Sequence, residues 1–144
     1  MNVRMFSIDG GHTGDIVYHD LTLLNCVLRD GGLLFMDDFS HSYWPGVQDG
    51  VGRFFNLHPA HRLVPLALIA NKLIITTASH YANYRKALME ALQAIGIKNF
   101  GQHMTKHLLH DSPILVFDRK AMTHEQKTAL RKRWYQLWGE AMGA

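Results

Sequence analysis

The sequence predicts a single α/β domain in which helices flank a partly parallel sheet, and three patterns carry that expectation. Short apolar runs alternate with stretches of helical periodicity. The first two runs, ending at Ile8 and Met36, are separated by one amphipathic stretch, and a later pair stands only three residues apart. The first gap accommodates a crossover helix between parallel strands, whereas the second favours an antiparallel hairpin. A hydrophobic share of 47% over 144 residues supplies apolar mass for one core, so residues 1–144 read as one domain.

In chain order, Val3 to Ile8 reads as a strand opening into the loop Asp9-Gly10-Gly11. Thr13 or Asp15 can cap a following helix whose Val17, Leu21, Leu24 and Leu28 recur at helical spacing, and Gly31-Gly32 is expected to end it. Leu33 to Met36 is apolar at every position, as in a central parallel strand, and breaks into Asp37-Asp38. Beyond a loop with Tyr43, Trp44 and Pro45, Val47 to Phe55 predicts a second helix that turns Val47, Val51, Phe54 and Phe55 to the sheet. Leu63 to Ile69 and Leu73 to Thr77, joined by Ala70-Asn71-Lys72, form the hairpin. Ser79 starts a helix through Tyr84, Leu88, Leu92 and Ile95 that stops near Gly96, and the segment from Ile97 to Asp111 reads as loop. Ile114 to Phe117 is a last short strand. Thr123 with Gln126 gives a capping box for a final helix lined by Leu130, Trp134, Leu137 and Trp138.

Composition narrows the function classes. The longest apolar stretch, Leu63 to Ile75, is interrupted by Pro65, Asn71 and Lys72, short of the ~20 residues a spanning helix needs. The N-terminus has no secretory pattern, so a cytoplasmic location is expected. Cys26 stands alone, which excludes an internal disulfide framework, and it reads as a small core residue. Net charge is +3, with the excess in Arg119, Lys120, Lys127, Arg131, Lys132 and Arg133. A solvated helix face accounts for it better than a nucleic-acid footprint. Ten histidines are scattered rather than grouped at zinc-ligand spacing.

The chemistry concentrates where strands end. In open parallel sheets ligands bind outside the carboxyl ends of the strands, where loops converge and helix N-termini point inward. Asp9 ends the first strand and Asp37 with Asp38 ends the second. If those strands are neighbours, three carboxylates share a crevice, an arrangement that costs energy unless a cation or shared proton offsets it. A hard divalent ion such as Mg²⁺ suits such oxygen ligands. His12 can reach the same crevice and take a proton from a substrate hydroxyl polarised by the metal. Each aspartate alone is equally a turn residue or helix cap, and His12 alone can cap the following helix; three carboxylates at two successive strand ends favour a joint site. Tyr43 and Trp44 can line a pocket or pack as a local lid, and His41 is a further candidate ligand.

These residues resemble a known family. Ile8-Asp9-Gly10-Gly11-His12, Asp20-Leu21, Leu28-Arg29-Asp30-Gly31-Gly32-Leu33, Met36-Asp37-Asp38-Phe39 and Pro45-Gly46-Val47, in that order and spacing, resemble the latter half of class I S-adenosylmethionine-dependent methyltransferases. The closest likeness is to small-molecule O-methyltransferases whose fourth strand ends in an Asp-Gly-Asp-His type of motif. The resemblance runs over Phe6 to Phe55, takes in the hairpin around Asn71-Lys72-Leu73, which resembles the antiparallel sixth and seventh strands, and fades past about Leu92. It implies a partial Rossmann-like methyltransferase sheet of the fourth to seventh strands. The chain would be the C-terminal portion of such a domain, lacking the N-terminal half that holds S-adenosylmethionine with a glycine-rich turn and an acidic residue.

In metal-dependent members an aspartate after the fourth strand and an acidic or amide pair after the fifth hold a divalent ion. Asp9, Asp37 and Asp38 match those positions. Gly11 stands where many relatives carry a second aspartate, which leaves His12 as the candidate base. The activity implied is methyl transfer to a hydroxyl of a small molecule, with this chain alone inactive or dependent on a missing half. The same likeness implies an unpaired edge on the first strand, hence self-association or a partner that supplies strands. The alternative is a non-catalytic interaction or remnant domain. A phosphoacceptor receiver domain, suggested by Met36-Asp37-Asp38, ranks below both because no later strand ends in the acceptor aspartate.

Overall fold

A computed structural model of the chain describes residues 3–94, 108–117 and 122–141. The strands are β1 (Val3–Ile8), β2 (Leu28–Met36), β3 (Leu63–Ile69), β4 (Lys72–Thr77), β5 (Leu108–Leu109), β6 (Ser112–Pro113) and β7 (Leu115–Phe117). The helices are α1 (Gly14–Val27), α2 (Pro45–Leu57), α3 (Ala78–Ala94) and α4 (His124–Ala141). Five strands form one mixed sheet in the order β1-β2-β4-β3-β7, and β5 with β6 makes a separate two-stranded hairpin. The α/β class, the flanking helices and the hairpin expected from the sequence are all present.

The sheet order follows from the connections. β1 and β2 are parallel, joined through α1, with Ile8 opposite Met36. β3 and β4 are antiparallel, and β4 inserts beside β2 with Met36 opposite Leu73. Their turn is only Ala70-Asn71, and Ala70 has a positive φ of 56°, the left-handed first position of a tight hairpin turn. β1, β2 and β3 therefore end at one rim of the sheet, where the hairpin turn also lies. This common rim positions everything described in the next subsection.

Two apolar layers hold the sheet. On one face α1 and α2 bury Val17, Leu21, Leu24, Val47, Val51, Phe54 and Phe55 against Ile8, Leu34, Met36, Leu73 and Ile75. On the other, Tyr84, Leu88 and Leu92 of α3 cover Leu33, Leu66, Ala67, Ile74 and Leu115. These are the stripes the helical spacing picks out, and each such side chain removed from water contributes about 1.5–3 kcal/mol. Gly46 and Gly50 let α2 approach the start of α1 closely. A Cβ on Gly46 would stand 2.4 Å from the His12 carbonyl oxygen, and one on Gly50 would stand 2.6 Å from that of Gly14.

Several expectations need correction. α1 ends at Val27, four residues before Gly31, and the glycine pair lies inside β2 instead of ending the helix. The helix needs no glycine cap because Arg62 reaches across and donates to the open carbonyl oxygens of Asn25 (2.8 Å) and Leu28 (2.7 Å). Gly31, with φ of 75°, lets β2 bulge against β1, and its N–H and C=O are taken by Thr77 and Tyr84. Cys26 is exposed, since it points away from the Val17–Leu21–Leu24–Leu28 stripe. Neither Thr13 nor Asp15 caps α1 through its side chain; Thr13 occupies the cap position and Asp15 pairs with Arg53.

The capping box is formed as expected: the Thr123 N–H donates to Gln126 Oε1 at 2.9 Å and the Gln126 N–H to Thr123 Oγ1 at 3.1 Å. Within the segment expected as loop, Leu108 to Asp111 instead supplies β5 and a tight turn, while residues 97–107 lie outside the described residues. Ile95, Gly96 and the side chains of Trp134, Leu137 and Trp138 also lie outside them. Arg131, Lys132 and Arg133 are exposed on α4. Among the described residues, no helix is long and apolar enough to cross a membrane.

A candidate cation site at the strand tips

Asp9 follows β1 and Asp37-Asp38 follow β2, and the parallel pairing carries both to the same rim, continued by a hydrogen bond from the Asp37 N–H to the Ile8 carbonyl at 3.0 Å. From there the two neighbouring aspartates diverge. Asp38 adopts φ of 55°, a left-handed conformation that aspartate tolerates better than most residues, and opens a turn closed by the His41 N–H on its carbonyl. That twist sends the two carboxylates to different partners.

Asp37 is satisfied from within the chain. One oxygen accepts the Asp38 N–H at 3.0 Å and the other is paired with the ammonium of Lys72, the first residue of β4. Partial burial pushes the Asp37 carboxyl up, but the hydrogen bond and charge of Lys72, the Asp38 amide and nearby His12 outweigh it. The net effect holds Asp37 below the usual carboxylate range.

Asp38 turns the other way. Its Oδ1 accepts the Asn71 side-chain amide at 3.0 Å, and its Oδ2 lies 3.1 Å from His12 Nε2. Asp9 is exposed and has no hydrogen bond or ion pair among the described residues. One donor atom from each of Asp9, His12 and Asp38 falls within 4.8 Å of the other two, a spacing one metal ion can span. Of the four residues singled out in the sequence, three converge and Asp37 is held aside by Lys72.

His12 is fixed from two sides. Its ring stacks on Trp44 with centroids 4.2 Å apart and planes 22° from parallel, while Nε2 meets Asp38. Trp44 sits at the cap of α2, next to Pro45 at the first helical position, and the missing side chain of Gly46 lets that helix start against the His12 carbonyl. Trp44 is therefore a wall of the site, whereas Tyr43 is 80% exposed and contacts the His41 ring instead. The His41 Nδ1 accepts the Tyr43 N–H at 3.3 Å, and His41 does not join the carboxylate group.

Sequence reasoning missed Asn71 and Lys72. Both were read only as turn residues, and a turn rich in polar side chains gives no sign of what it faces. The signal that could have found them was topological, because a hairpin whose second strand pairs antiparallel beside the second of two parallel strands returns its turn to their carboxyl rim.

The donor set suits a divalent cation. Two carboxylate oxygens fit a hard ion such as Mg²⁺, and an imidazole nitrogen beside them adds a ligand that borderline ions accept. Gly31-Gly32 is buried inside β2, and Gly10-Gly11 lies in the loop between β1 and α1 that carries the carboxylate site, so neither pair is assigned to holding S-adenosylmethionine. Compared with protein-family models, with curated proteins and with solved structures, the chain finds no match in any of the three.

Proposed function

We propose that this chain is the acceptor-side portion of an S-adenosylmethionine-dependent methyltransferase acting on a hydroxyl of a small molecule, with a divalent cation at Asp9 and Asp38 and His12 as the base. The observation that carries the reading is the convergence of Asp9, His12 and Asp38 at the rim where two parallel strands end. Two parallel strands followed by an antiparallel hairpin in one sheet also agree with the resemblance. A bound cation would offset the repulsion of the carboxylates and make a nearby hydroxyl more acidic.

The chain's own residues do the rest. Asp9 and Asp38 present anionic oxygens, and Asn71 keeps the Asp38 carboxylate from rotating. Trp44 holds the imidazole in place, and with Nε2–H donated to Asp38 the lone pair that can accept the hydroxyl proton is that of Nδ1. The imidazolium so formed is stabilised by Asp38 Oδ2 at 3.1 Å. No step is assigned to the binding of the methyl donor. Calorimetry tests both halves of this reading: Mg²⁺ should bind the chain and fail to bind Asp9→Asn, while S-adenosylmethionine should show no micromolar binding. Mg²⁺ affinity unchanged by Asp9→Asn would refute the cation assignment.

The β1 edge supports a second reading, a non-catalytic interaction domain. Among the described residues β1 closes the sheet on one side with no strand beyond it, and Met5 (50%) and Phe6 (42%) are exposed on its two faces. Self-association through this edge follows, and size-exclusion chromatography should show Met5→Lys shifting the chain toward monomer. A wild-type chain that elutes as a monomer at high concentration contradicts it.

A further inference from the structure

Mg²⁺ and a borderline transition ion would not use this site in the same way. Mg²⁺ takes oxygen ligands and keeps several waters, so Asp9 and Asp38 suffice and the imidazole stays free. Zn²⁺ binds imidazole readily, with ligand distances of about 2.0–2.2 Å that place tetrahedral ligand atoms about 3.3 Å apart. His12 Nε2 and Asp38 Oδ2, at 3.1 Å, already stand at that separation. Binding the ion would release the proton of the His12–Asp38 hydrogen bond and turn both atoms to a common centre, while the exposed Asp9 carboxylate, which has no partner to give up among the described residues, swings inward from within 4.8 Å.

We infer that the site discriminates between two classes of divalent ion through His12: a hard ion sits on Asp9 and Asp38 alone, whereas a zinc-class ion recruits His12 as third ligand and thereby removes the base. This rests on the proposed cation site and adds its regulation. The geometry favours recruitment because the ring is already ordered by Trp44, so little freedom is lost when Nε2 binds the ion. Asn71, donating to the outer oxygen of Asp38, supplies the supporting hydrogen bond that ligating carboxylates use. The site would then bind Zn²⁺ more tightly than Mg²⁺ and be inhibited by it, in line with the general order of divalent affinities for nitrogen-containing sites.

The test separates the two ions at one residue. With ten histidines in the chain, bulk zinc uptake is uninformative, so the readout is the ring nitrogens of His12, assigned by comparing long-range ¹H–¹⁵N spectra of the full chain and His12→Gln. Stoichiometric Zn²⁺ should shift His12 Nε2 strongly, and Mg²⁺ should leave it nearly unmoved. In calorimetry His12→Gln should lose at least about tenfold in affinity at the tightest zinc site and less than about twofold for Mg²⁺. A His12 ring that ignores Zn²⁺, or moves equally with both ions, overturns the inference while leaving the cation site standing. Asp9→Asn leaving both titrations unchanged overturns the site itself, and the inference with it.

Discussion

Asp37 and Asp38 are neighbours in sequence, yet they belong to two different shoulders of the same rim. On the hairpin shoulder Asp37 meets Lys72, a cation that the chain supplies for itself. On the loop shoulder Asp38 meets His12 and lies within ligand distance of Asp9, and no lysine or arginine is ion-paired with either carboxylate among the described residues. One region is electrostatically closed and the other is open to a cation from outside. What separates them is a single left-handed residue, Asp38 at φ of 55°, together with a two-residue turn that delivers Asn71 to one carboxylate and Lys72 to the other.

The largest expected effect breaks the comparison at its centre. Asp38→Asn should weaken Mg²⁺ binding by about 100-fold, whereas Asp37→Asn should change it by less than about threefold. Equal losses in calorimetric titrations of the two variants would place Asp37 in the cation site and erase the distinction between the shoulders.

Removing the internal cation sharpens the comparison. Lys72→Met leaves the partly buried Asp37 carboxylate with only the Asp38 N–H beside the open site. It should cost about 1 kcal/mol of stability, the upper range for a pair whose lysine is half exposed, and should strengthen Mg²⁺ binding. The pH dependence fixes the sign. Asp37 is held below its ordinary value of 3.8, so its contribution is fully present above that pH and is lost as pH falls through the lower folded value. Urea midpoints of the wild type and Lys72→Met should therefore differ at neutral pH and converge well below pH 3.8. A gap that persists undiminished in acid would show that Lys72 acts by packing and not by charge.

A smaller effect is expected from Asn71→Ala, which removes one hydrogen bond to Asp38 and leaves the backbone contact from Phe39 intact. Loss of a bond to a charged group is worth about 1.5 kcal/mol, so cation affinity should fall roughly tenfold. Unchanged affinity in the same titration would make Asn71 a turn residue only. The smallest effect is expected at the outer edge of β1: Met5→Lys should alter self-association while leaving cation binding within about twofold of wild type.

Much of this arrangement was legible in the sequence. Alternation of apolar runs with helical stripes located β1, β2, β3, β4 and the three helices that pack on them, because burial imposes those periods directly. Asp9 and the Asp37-Asp38 pair were legible as strand-tip residues because they follow apolar runs directly, and His12 because it lies in the same loop three residues beyond Asp9. The fate of Asp37 was not, since it depends on a residue 35 positions away brought in by the hairpin. The end of α1 was misread for a similar reason: Gly31-Gly32 is a local stop signal, but Arg62, distant in sequence, ends the helix earlier by taking its carbonyl oxygens. Local chemistry in the sequence announces which residues are available, and long-range pairing decides which are used.

Paramagnetic Mn²⁺ added in trace amounts to ¹⁵N-labelled protein tests the central claim most directly, because it broadens resonances near wherever the ion binds. The account expects selective loss of the backbone signals of residues 9–12, 37–39 and 71, together with the Trp44 indole, while the amides of β7 and α4 keep their intensity. Broadening centred anywhere else, or spread evenly over the exposed carboxylates, would contradict a cation site at the shared strand tips.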